Sequence, residues 1–429
     1  MRGVTPYYTD DHVTLYHGDC LDVLATLPDE SVDAVVTDPP YLIAFMGRGW
    51  DHSTGIAGQP DVWRQVLRVL KPGGHLLAFG APRTYHRMAV AVEDAGFEVR
   101  DSLMWLFGSG FPKSMDIGKA IDKAAGAERT EYAGVKPGHE KFVGRDSVKS
   151  LRESGALSQG GGFSRPWMHD PEQVEAWHHV LSPATAEAAE WDGWGTAMKP
   201  AHEPIILARK PLSGTVAANV LAWGVGGINV DGCRIGTTDE LGRPQGTMPQ
   251  PMDWGNTSPG ESYVSEGNTK GRWPANVILD ATAAAQLDQQ SGESVSGKPS
   301  PTAEYGKHEY AANNTVYGKG LASTTPGVPP YADSGGASRF FYTPKADRHE
   351  RPRVDGVSHP TVKPVDLMAY LVRLITPRGG LVLDPFAGTG TTAEAATVEG
   401  CRTILIERED VYLPLIMQRL QRPVEVTLL

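Results

Sequence analysis

The sequence predicts an α/β fold, a doubly wound sheet assembled from both ends of the chain with a large insertion between them. Short apolar, β-branched runs alternate with segments of helical spacing over the first 110 residues, and the same alternation returns over the last 70. The long polar stretch between lacks it.

In chain order, residues 32–37 (VDAVVT) form a β-branched run that stops at Asp38-Pro39-Pro40, as a buried parallel strand does. Residues 61–70 place Val62, Val66, Leu67 and Leu70 on one helical face, and Lys71-Pro72-Gly73-Gly74 stops that helix. A strand over 75–80, a helix over 85–95 and a strand over 98–107 follow. From 112 to 193 the pattern dissolves into Gly-rich polar sequence with helical pieces such as 171–181, which reads as an insertion. Residues 204–208 (PIILA) return to the sheet, between His202-Glu203 and Arg209-Lys210. Residues 213–338 are rich in Gly, Ser, Pro, Thr and Asn, with strand candidates at 272–279 and around 340–342. The stretches 237–270 and 294–336 have almost no apolar period, and loops of that length are functional or disordered. We read them as a recognition region that orders on a ligand, a plain linker being the alternative. An amphipathic helix over 365–374, a break at Pro377-Arg378-Gly379-Gly380, a strand over 381–383, a helix over 391–399 and a strand over 403–406 complete the pattern.

A chain of 429 residues, 40% hydrophobic, can bury a large core, which excludes a small disulfide or zinc scaffold. Cys20, Cys233 and Cys401 are far apart and none lies in a Cys-x-x-Cys pair, so a reducing, cytoplasmic setting is the default. The N-terminus is polar and no run approaches the roughly 18 apolar residues of a membrane span, so a soluble protein without a membrane partner is expected. The net charge of −11 argues against coating nucleic acid through general basicity, because phosphate contacts need Lys and Arg. A nucleic-acid surface must then be local, and Arg339, Lys345, Arg348, Arg351, Arg353 and Lys363 mark one candidate, a solvated charged face being the plain alternative.

Two constellations carry chemistry. Thr37-Asp38-Pro39-Pro40-Tyr41 directly follows a strand, where the carboxyl edge of an open sheet binds ligands. The two prolines stiffen the backbone, so the Asp38 carboxylate and the Pro39 carbonyl point to one place as acceptors, which suits an amino group with two hydrogens. Such a pair biases an aromatic amino nitrogen towards tetrahedral geometry, and the Asp38 charge stabilises positive charge developing there. Tyr41 would stack on the base, a contact worth about 1–3 kcal/mol that offsets much of the cost of pulling the base from a duplex. A rigid strand-to-loop turn is the plainer reading of the same residues.

The second constellation is Asp384-Pro385-Phe386-Ala387-Gly388-Thr389-Gly390-Thr391-Thr392, again between a strand and a helix. Its glycines admit a ligand close to the backbone, and the following helix offers N–H groups. Phe386 and Thr391 break the G-x-G-x-x-G spacing and no lysine follows the second glycine, so a nucleoside without pyrophosphate fits better than a dinucleotide or nucleoside triphosphate. Glu407, about twenty residues on, stands where an acidic side chain binds ribose hydroxyls. His202-Glu203 lacks His-Glu-x-x-His spacing and reads as a polar strand edge rather than a metal site. Trp191, Trp194, Lys113 and Lys199 are as readily packing or surface residues as DNA contacts.

Together these motifs resemble the amino-methyltransferase family of DNA-modifying enzymes, and their order resembles its circularly permuted β group, in which the Pro-Pro-Tyr strand precedes the glycine turn and a target-recognition region fills the middle. The resemblance covers about the first 110 and last 90 residues and the strand near 204. It implies a Rossmann-like sheet, S-adenosylmethionine as cofactor, and methyl transfer by base flipping to adenine N6 in double-stranded DNA. Asp38, Pro39, Pro40 and Tyr41 would be catalytic, with Asp38 also touching the cofactor. His17-Gly18-Asp19-Cys20-Leu21 is similar to the family segment at the cofactor adenine, implicating Asp19 and Cys20. The segment 359–364 (HPTVKP) is similar to the one contacting the methionine part, implicating His359, Thr361 and Lys363. Asp384, Pro385, Phe386, Gly388, Gly390, Thr391 and Glu407 complete the expected cofactor site; no metal is expected. Residues 1–111, 194–212 and 340–429 would form the catalytic domain, 112–193 an inserted segment and 213–339 the target-recognition region.

Asp at position 38 resembles the adenine-specific members, whereas cytosine-N4 enzymes more often carry Ser there, so cytosine N4 stays the runner-up. An inactive DNA-binding protein is a more distant alternative. RNA and protein-glutamine methyltransferases place the two motifs in the opposite order. The resemblance leaves open a cognate restriction endonuclease and a homodimer as partners.

Overall fold

The computed structural model describes residues 4–43, 51–52, 54–110, 114–136, 178–237, 271–295, 334–345, 352–354, 357, 359 and 362–422. Its strands are β1 (Tyr8–Thr9), β2 (Val13–His17), β3 (Val32–Thr37), β4 (Leu70–Phe79), β5 (Glu98–Leu106), β6 (Tyr132–Val135), β7 (His179–Leu181), β8 (His202–Arg209), β9 (Val277–Leu279), β10 (Ser294–Val295), β11 (Ser334–Gly335), β12 (Leu381–Asp384) and β13 (Arg402–Glu407). Nine of them make one sheet in the order β1-β2-β13-β12-β3-β4-β8-β5-β9. From β2 to β4 every neighbouring pair is parallel, and β8 inserts antiparallel between β4 and β5. The α/β class and the sheet built from both chain ends are therefore as expected, with β12 and β13 seated between β2 and β3.

Both faces of the centre of this sheet are covered, which is why β3, β4, β8 and β12 read as continuous apolar runs. Along β3, Val35 points to one face while Ala34 and Val36 point to the other; Leu76 and Ala78 alternate in the same way with Leu77 and Phe79. The first face is closed by the helices Pro60–Val69 and Tyr85–Asp94 through Trp63, Val66, Met88 and Val92. The second is closed by the helix Val365–Ile375. That helix is not amphipathic as expected: nine of its residues are buried, leaving Asp366 and Arg373 as the exceptions, because it packs on the sheet and on the helix Thr391–Val398 at once.

Other elements differ from expectation in informative ways. The Lys71-Pro72-Gly73-Gly74 stop lies inside β4, which begins at Leu70 the moment the helix ends at Val69, with a register shift against β3 there. Residues 179–181, expected in a helical piece, are strand β7, while 171–177 lie outside the described residues. The strand candidate around 340–342 is a 3-10 turn, Ala337–Phe340, followed by a single parallel bridge from Tyr342 to Ile278. Within 213–339, the helix Val216–Trp223, the helix Ala281–Ser291 and β9 belong to the sheet-bearing unit, formed by residues 1–109 and 201–429. Residues 110–200 form a second unit, in which Asp122 accepts from Arg129 Nε (2.6 Å) and from the backbone N–H of Thr185 (3.0 Å). No helix among the described residues is long and apolar enough to cross a membrane.

One buried carboxylate ties the two chain ends at the amino edge of the sheet. Asp33 on β3 accepts from Lys71 Nζ at 2.5 Å and from the Leu381 N–H of β12 at 2.7 Å. Replacing it leaves a partly buried ammonium and a partly buried amide without their acceptor, so Asp33→Ala should lower the unfolding free energy by about 2–4 kcal/mol in urea titration. A change within a few tenths of a kcal/mol would contradict this joint.

Candidate active site

The carboxyl ends of β2, β13, β12 and β3 are consecutive along one sheet edge, and each delivers one expected site residue: Asp19 just after β2, Glu407 ending β13, Asp384 ending β12, and Asp38 just after β3. Because β8 runs antiparallel to β4, its first residues, His202 and Glu203, reach this same edge. The edge is thus built by register, from segments more than 300 residues apart.

Thr37 and Asp384 join the two constellations. Thr37 Oγ1 donates to Asp384 Oδ1 at 2.6 Å, Thr392 Oγ1 donates to Oδ2 at 2.5 Å, and the Phe386 N–H donates to Oδ1 at 3.0 Å. Burial raises the Asp384 pKa to about 6 against those three lowering bonds. Asp384, among the expected cofactor residues, has its carboxylate buried and both oxygens occupied, and it braces the glycine turn.

Beyond it, Gly388 and Gly390 adopt φ values of +55° and +75°, which side chains rarely tolerate. A Cβ on Gly390 would also lie 3.0 Å from Ile416. Arg419, fully buried, donates through Nε to the Thr389 carbonyl at 2.9 Å and pairs with Glu394, fixing the turn from the C-terminal helix Leu413–Leu420. Glu407 accepts from the Gly388 N–H at 2.8 Å and the Glu409 N–H at 2.8 Å. His359 packs edge-on against Tyr412, 4.6 Å between ring centroids, and faces Gly388. Phe386 meets Trp63 edge-on at 6.5 Å. Gly18 N–H donates to the Glu407 carbonyl at 3.0 Å, bringing the Asp19 loop alongside.

On the other side, the Lys363 ammonium, 5% exposed, lies 2.6 Å from Asp38 Oδ2 and 3.4 Å from Glu203 Oε2. Burial works against the ammonium, but Asp38 and Glu203 outweigh it and hold the Lys363 pKa above its ordinary value. Tyr41 donates its hydroxyl to Glu203 Oε2 at 3.0 Å, and burial together with those carboxylates pushes its pKa well up. Lys363 also sits over the Tyr41 ring, 5.2 Å from its centroid, within cation–π range. Asp38 Oδ1 is buried and has no hydrogen-bond partner among the described residues. Next in sequence, Leu42 takes φ 60°, a conformation costing a non-glycine residue about 1–3 kcal/mol, held by Asp51 Oδ1, which accepts its N–H at 2.7 Å.

The edge therefore brings together Asp38, Tyr41, Lys363, Asp384, Gly388, Gly390, His359 and Glu407, and places Asp19 beside them. Thr361 lies outside the described residues. Lys363, expected at the methionine part of a cofactor, is paired with Asp38. Cys20 is packed in the core, where burial raises its thiol to about 12, and Asp19 caps the short helix Cys20–Leu24 by accepting the Leu21 N–H. Pro385 and Thr391 are buried, the latter with its hydroxyl 3.2 Å from that of Thr389. Glu203 was read as a polar strand edge; its only sequence signal is a carboxylate opening an otherwise apolar strand. Of the candidate basic stretch, Lys363 is buried in its ion pair and Arg339 lies over Phe340; Arg348 and Arg351 lie outside the described residues, as does Lys113. Trp191 and Trp194 stack edge-to-face at 5.2 Å in the second unit, 40% and 59% exposed.

An open α/β sheet with a glycine turn and an Asp-Pro-Pro-Tyr loop at one carboxyl edge places both constellations where such sheets bind their ligands. The family model N6_N4_Mtase, described as DNA methylase, matches residues 32–141 and 250–418, and the chain belongs to that family. Among curated proteins, the type II methyltransferase M.BamHI of Bacillus amyloliquefaciens is 35% identical over 88 residues, 19% of this chain and 21% of that protein. The putative methylase YubD of Escherichia coli (strain K12) is 37% identical over 94 residues, 20% of this chain and 40% of that protein. The chain spans between a fifth and under a half of the length of these relatives. Among solved structures, the M1.HpyAVI–SAM complex aligns over 96% of this chain and 100% of its own at 15% identity, TM-score 0.37. The PvuII DNA methyltransferase (cytosine-N4-specific) aligns over 98% and 90% at 12% identity, TM-score 0.41.

Burial raises the Glu407 pKa from an ordinary 4.5 to about 7, although the N–H groups of Glu409 and Gly388 pull it down. A carboxyl raised in the folded state stabilises the fold below its unfolded pKa and loses that contribution as pH rises through the folded one. The unfolding free energy of the ligand-free wild type minus that of Glu407→Gln should therefore decline between pH 4.5 and about 7. Urea titrations across that window check it; a difference independent of pH would contradict the raised pKa.

Proposed function

We propose that the protein is an S-adenosylmethionine-dependent DNA methyltransferase of the circularly permuted β group that modifies adenine N6 in double-stranded DNA. The carrying observation is the Asp38 carboxylate: one oxygen is held by Lys363, while the other is buried and without a partner among the described residues. A buried acceptor of that kind is costly until a donor reaches it, and an exocyclic amino group supplies one. Family membership supports the reaction class, and the order of the Asp38 loop before the Asp384 turn supports the permuted subgroup.

The residues fit the cofactor. The bare glycine turn admits a nucleoside against the backbone, each Glu407 oxygen keeps a lone pair for a ribose hydroxyl, and Asp19 and His359 flank the turn. When bound, S-adenosylmethionine supplies an electrophilic methyl group. Asp38 Oδ1 and the Pro39 carbonyl each accept one N–H of the flipped adenine, turning the nitrogen lone pair towards that methyl, and the carboxylate stabilises positive charge growing on nitrogen. Tyr41 stacks on the base and offsets part of the cost of flipping it. The chain supplies no covalent nucleophile in this scheme: burial pushes the thiols of Cys20 and Cys233 to about 12 and that of Cys401 to about 11, so none is a thiolate near neutral pH. Asp rather than Ser at position 38 supports adenine over cytosine. Residues 213–339 carry target recognition on this reading, with 112–193 as an inserted segment, and a cognate endonuclease and a second copy of the chain are its open partners.

Incubation with DNA and methyl-labelled cofactor, followed by digestion to nucleosides, should place the label in N6-methyladenine, and Asp38→Ala should abolish it while DNA binding persists. Label in N4-methylcytosine would overturn the adenine assignment; no label in any base would overturn the function.

A further inference from the structure

The ion cluster behind Asp38 draws one side chain from each third of the sequence: Asp38, Glu203 and Lys363. Lys363 reaches Asp38 Oδ2 at 2.6 Å and Glu203 Oε2 at 3.4 Å, and the Tyr41 hydroxyl donates to that same Glu203 oxygen at 3.0 Å. Glu203 therefore touches both the cation that holds the carboxylate and the tyrosine that would hold the base. Its place is fixed by the sheet, since it is the second residue of β8, pairs across from Trp105 on β5, and is followed by the buried run Ile205, Ile206 and Leu207.

We propose that Glu203 is a positioning residue for methyl transfer, acting through Lys363 on the Asp38 carboxylate and through the hydroxyl on the Tyr41 ring. This rests on the methyltransferase reading of the site. With Lys363 bound to Oδ2, the Asp38 carboxylate cannot rotate freely, and Oδ1 becomes the oxygen that meets the substrate amino group. Two carboxylates around one ammonium leave the cluster with one net negative charge, so Asp38 stays an effective partner for positive charge developing on the nitrogen rather than being neutralised by Lys363. With Glu203 neutral, the Asp38–Lys363 pair has no net charge, and that stabilisation is reduced. Among the described residues, the charged groups at Lys363 are Asp38 from the loop after β3 and Glu203 from β8, with the rings of Tyr41 and, at 4.9 Å, Phe79 at the end of β4 also close. Burial presses Lys363 towards its neutral form, so loss of one carboxylate brings its deprotonation to lower pH.

Glu203→Gln keeps the size of the side chain and an acceptor for the Tyr41 hydroxyl while removing the charge. Three measurements on the full chain test the role: binding of a non-reactive cofactor analogue by calorimetry, single-turnover methyl transfer against pH, and the lysine Cε resonances of carbon-13 labelled protein. The expected result is analogue binding within about twofold of wild type, a transfer rate down by about a hundredfold as for a misplaced reacting group, and a Lys363 resonance and alkaline rate limb that both move to lower pH. Glu203→Asp should restore part of the rate. A Glu203→Gln protein with the wild-type rate and an unmoved Lys363 resonance would overturn the inference, as would a slow variant whose pH limb and resonance stay in place. A wild-type protein that labels no base would remove the reading beneath it, and the inference with it; that failure is seen in the wild type and the others only in the variant.

Discussion

A hydroxyl from β3 donates 2.6 Å to a buried carboxylate at the end of β12, and through that contact the Asp38 loop and the glycine turn become one surface. Thr37 and Asp384 are 347 residues apart in sequence. They meet because β12 pairs in parallel with β3, Val382 opposite Ala34 and Leu383 opposite Val35, so both strands end together. Two further bonds on Asp384, from Thr392 and from the Phe386 N–H, make the same side chain the brace of the turn. Charged hydrogen bonds of this kind are worth about 1.5–3 kcal/mol each, and here they also set the distance between donor and acceptor halves of the site.

The electrostatics of the edge follow a division of labour. Asp384 and Glu407 are carboxylates raised by burial, satisfied mainly by hydroxyls and backbone N–H groups, and they shape the turn. Asp38 and Glu203 instead share a buried ammonium, and one Asp38 oxygen is without a partner among the described residues. One half of the edge suits a neutral, hydroxyl-bearing nucleoside, and the other suits a group that gains positive charge as it reacts.

Much of this was legible in the sequence because it is local. The Asp38-Pro39-Pro40-Tyr41 and Asp384 to Gly390 segments announce themselves through residues whose backbone preferences are strong, Pro before the turn and Gly at positive φ, each directly after a β-branched strand. Glu203 and Arg419 were not legible, since a carboxylate before an apolar strand and an arginine in a terminal helix look like surface residues until the register and the helix packing bury them. The role of Lys363 depended on the same long-range pairing. The helices Val216–Trp223 and Ala281–Ser291 were hidden in a stretch whose Gly and Ser content suggested loops, although Thr215 and Asp280 stand before them as N-caps, accepting the N–H groups of Ala218 and Ala283. The place of the short strand β2 beside β13 follows from five paired residues that no local pattern records.

The central claim is that the two chain ends form a single transfer site, cofactor on one half and acceptor on the other. A crystal structure of the protein with S-adenosylmethionine tests it most directly. The account predicts the ribose at Glu407, the adenine beside Asp19, and the methyl group directed towards Asp38 Oδ1 and the Tyr41 ring. A cofactor bound elsewhere, or with its methyl turned away from Asp38, would contradict it.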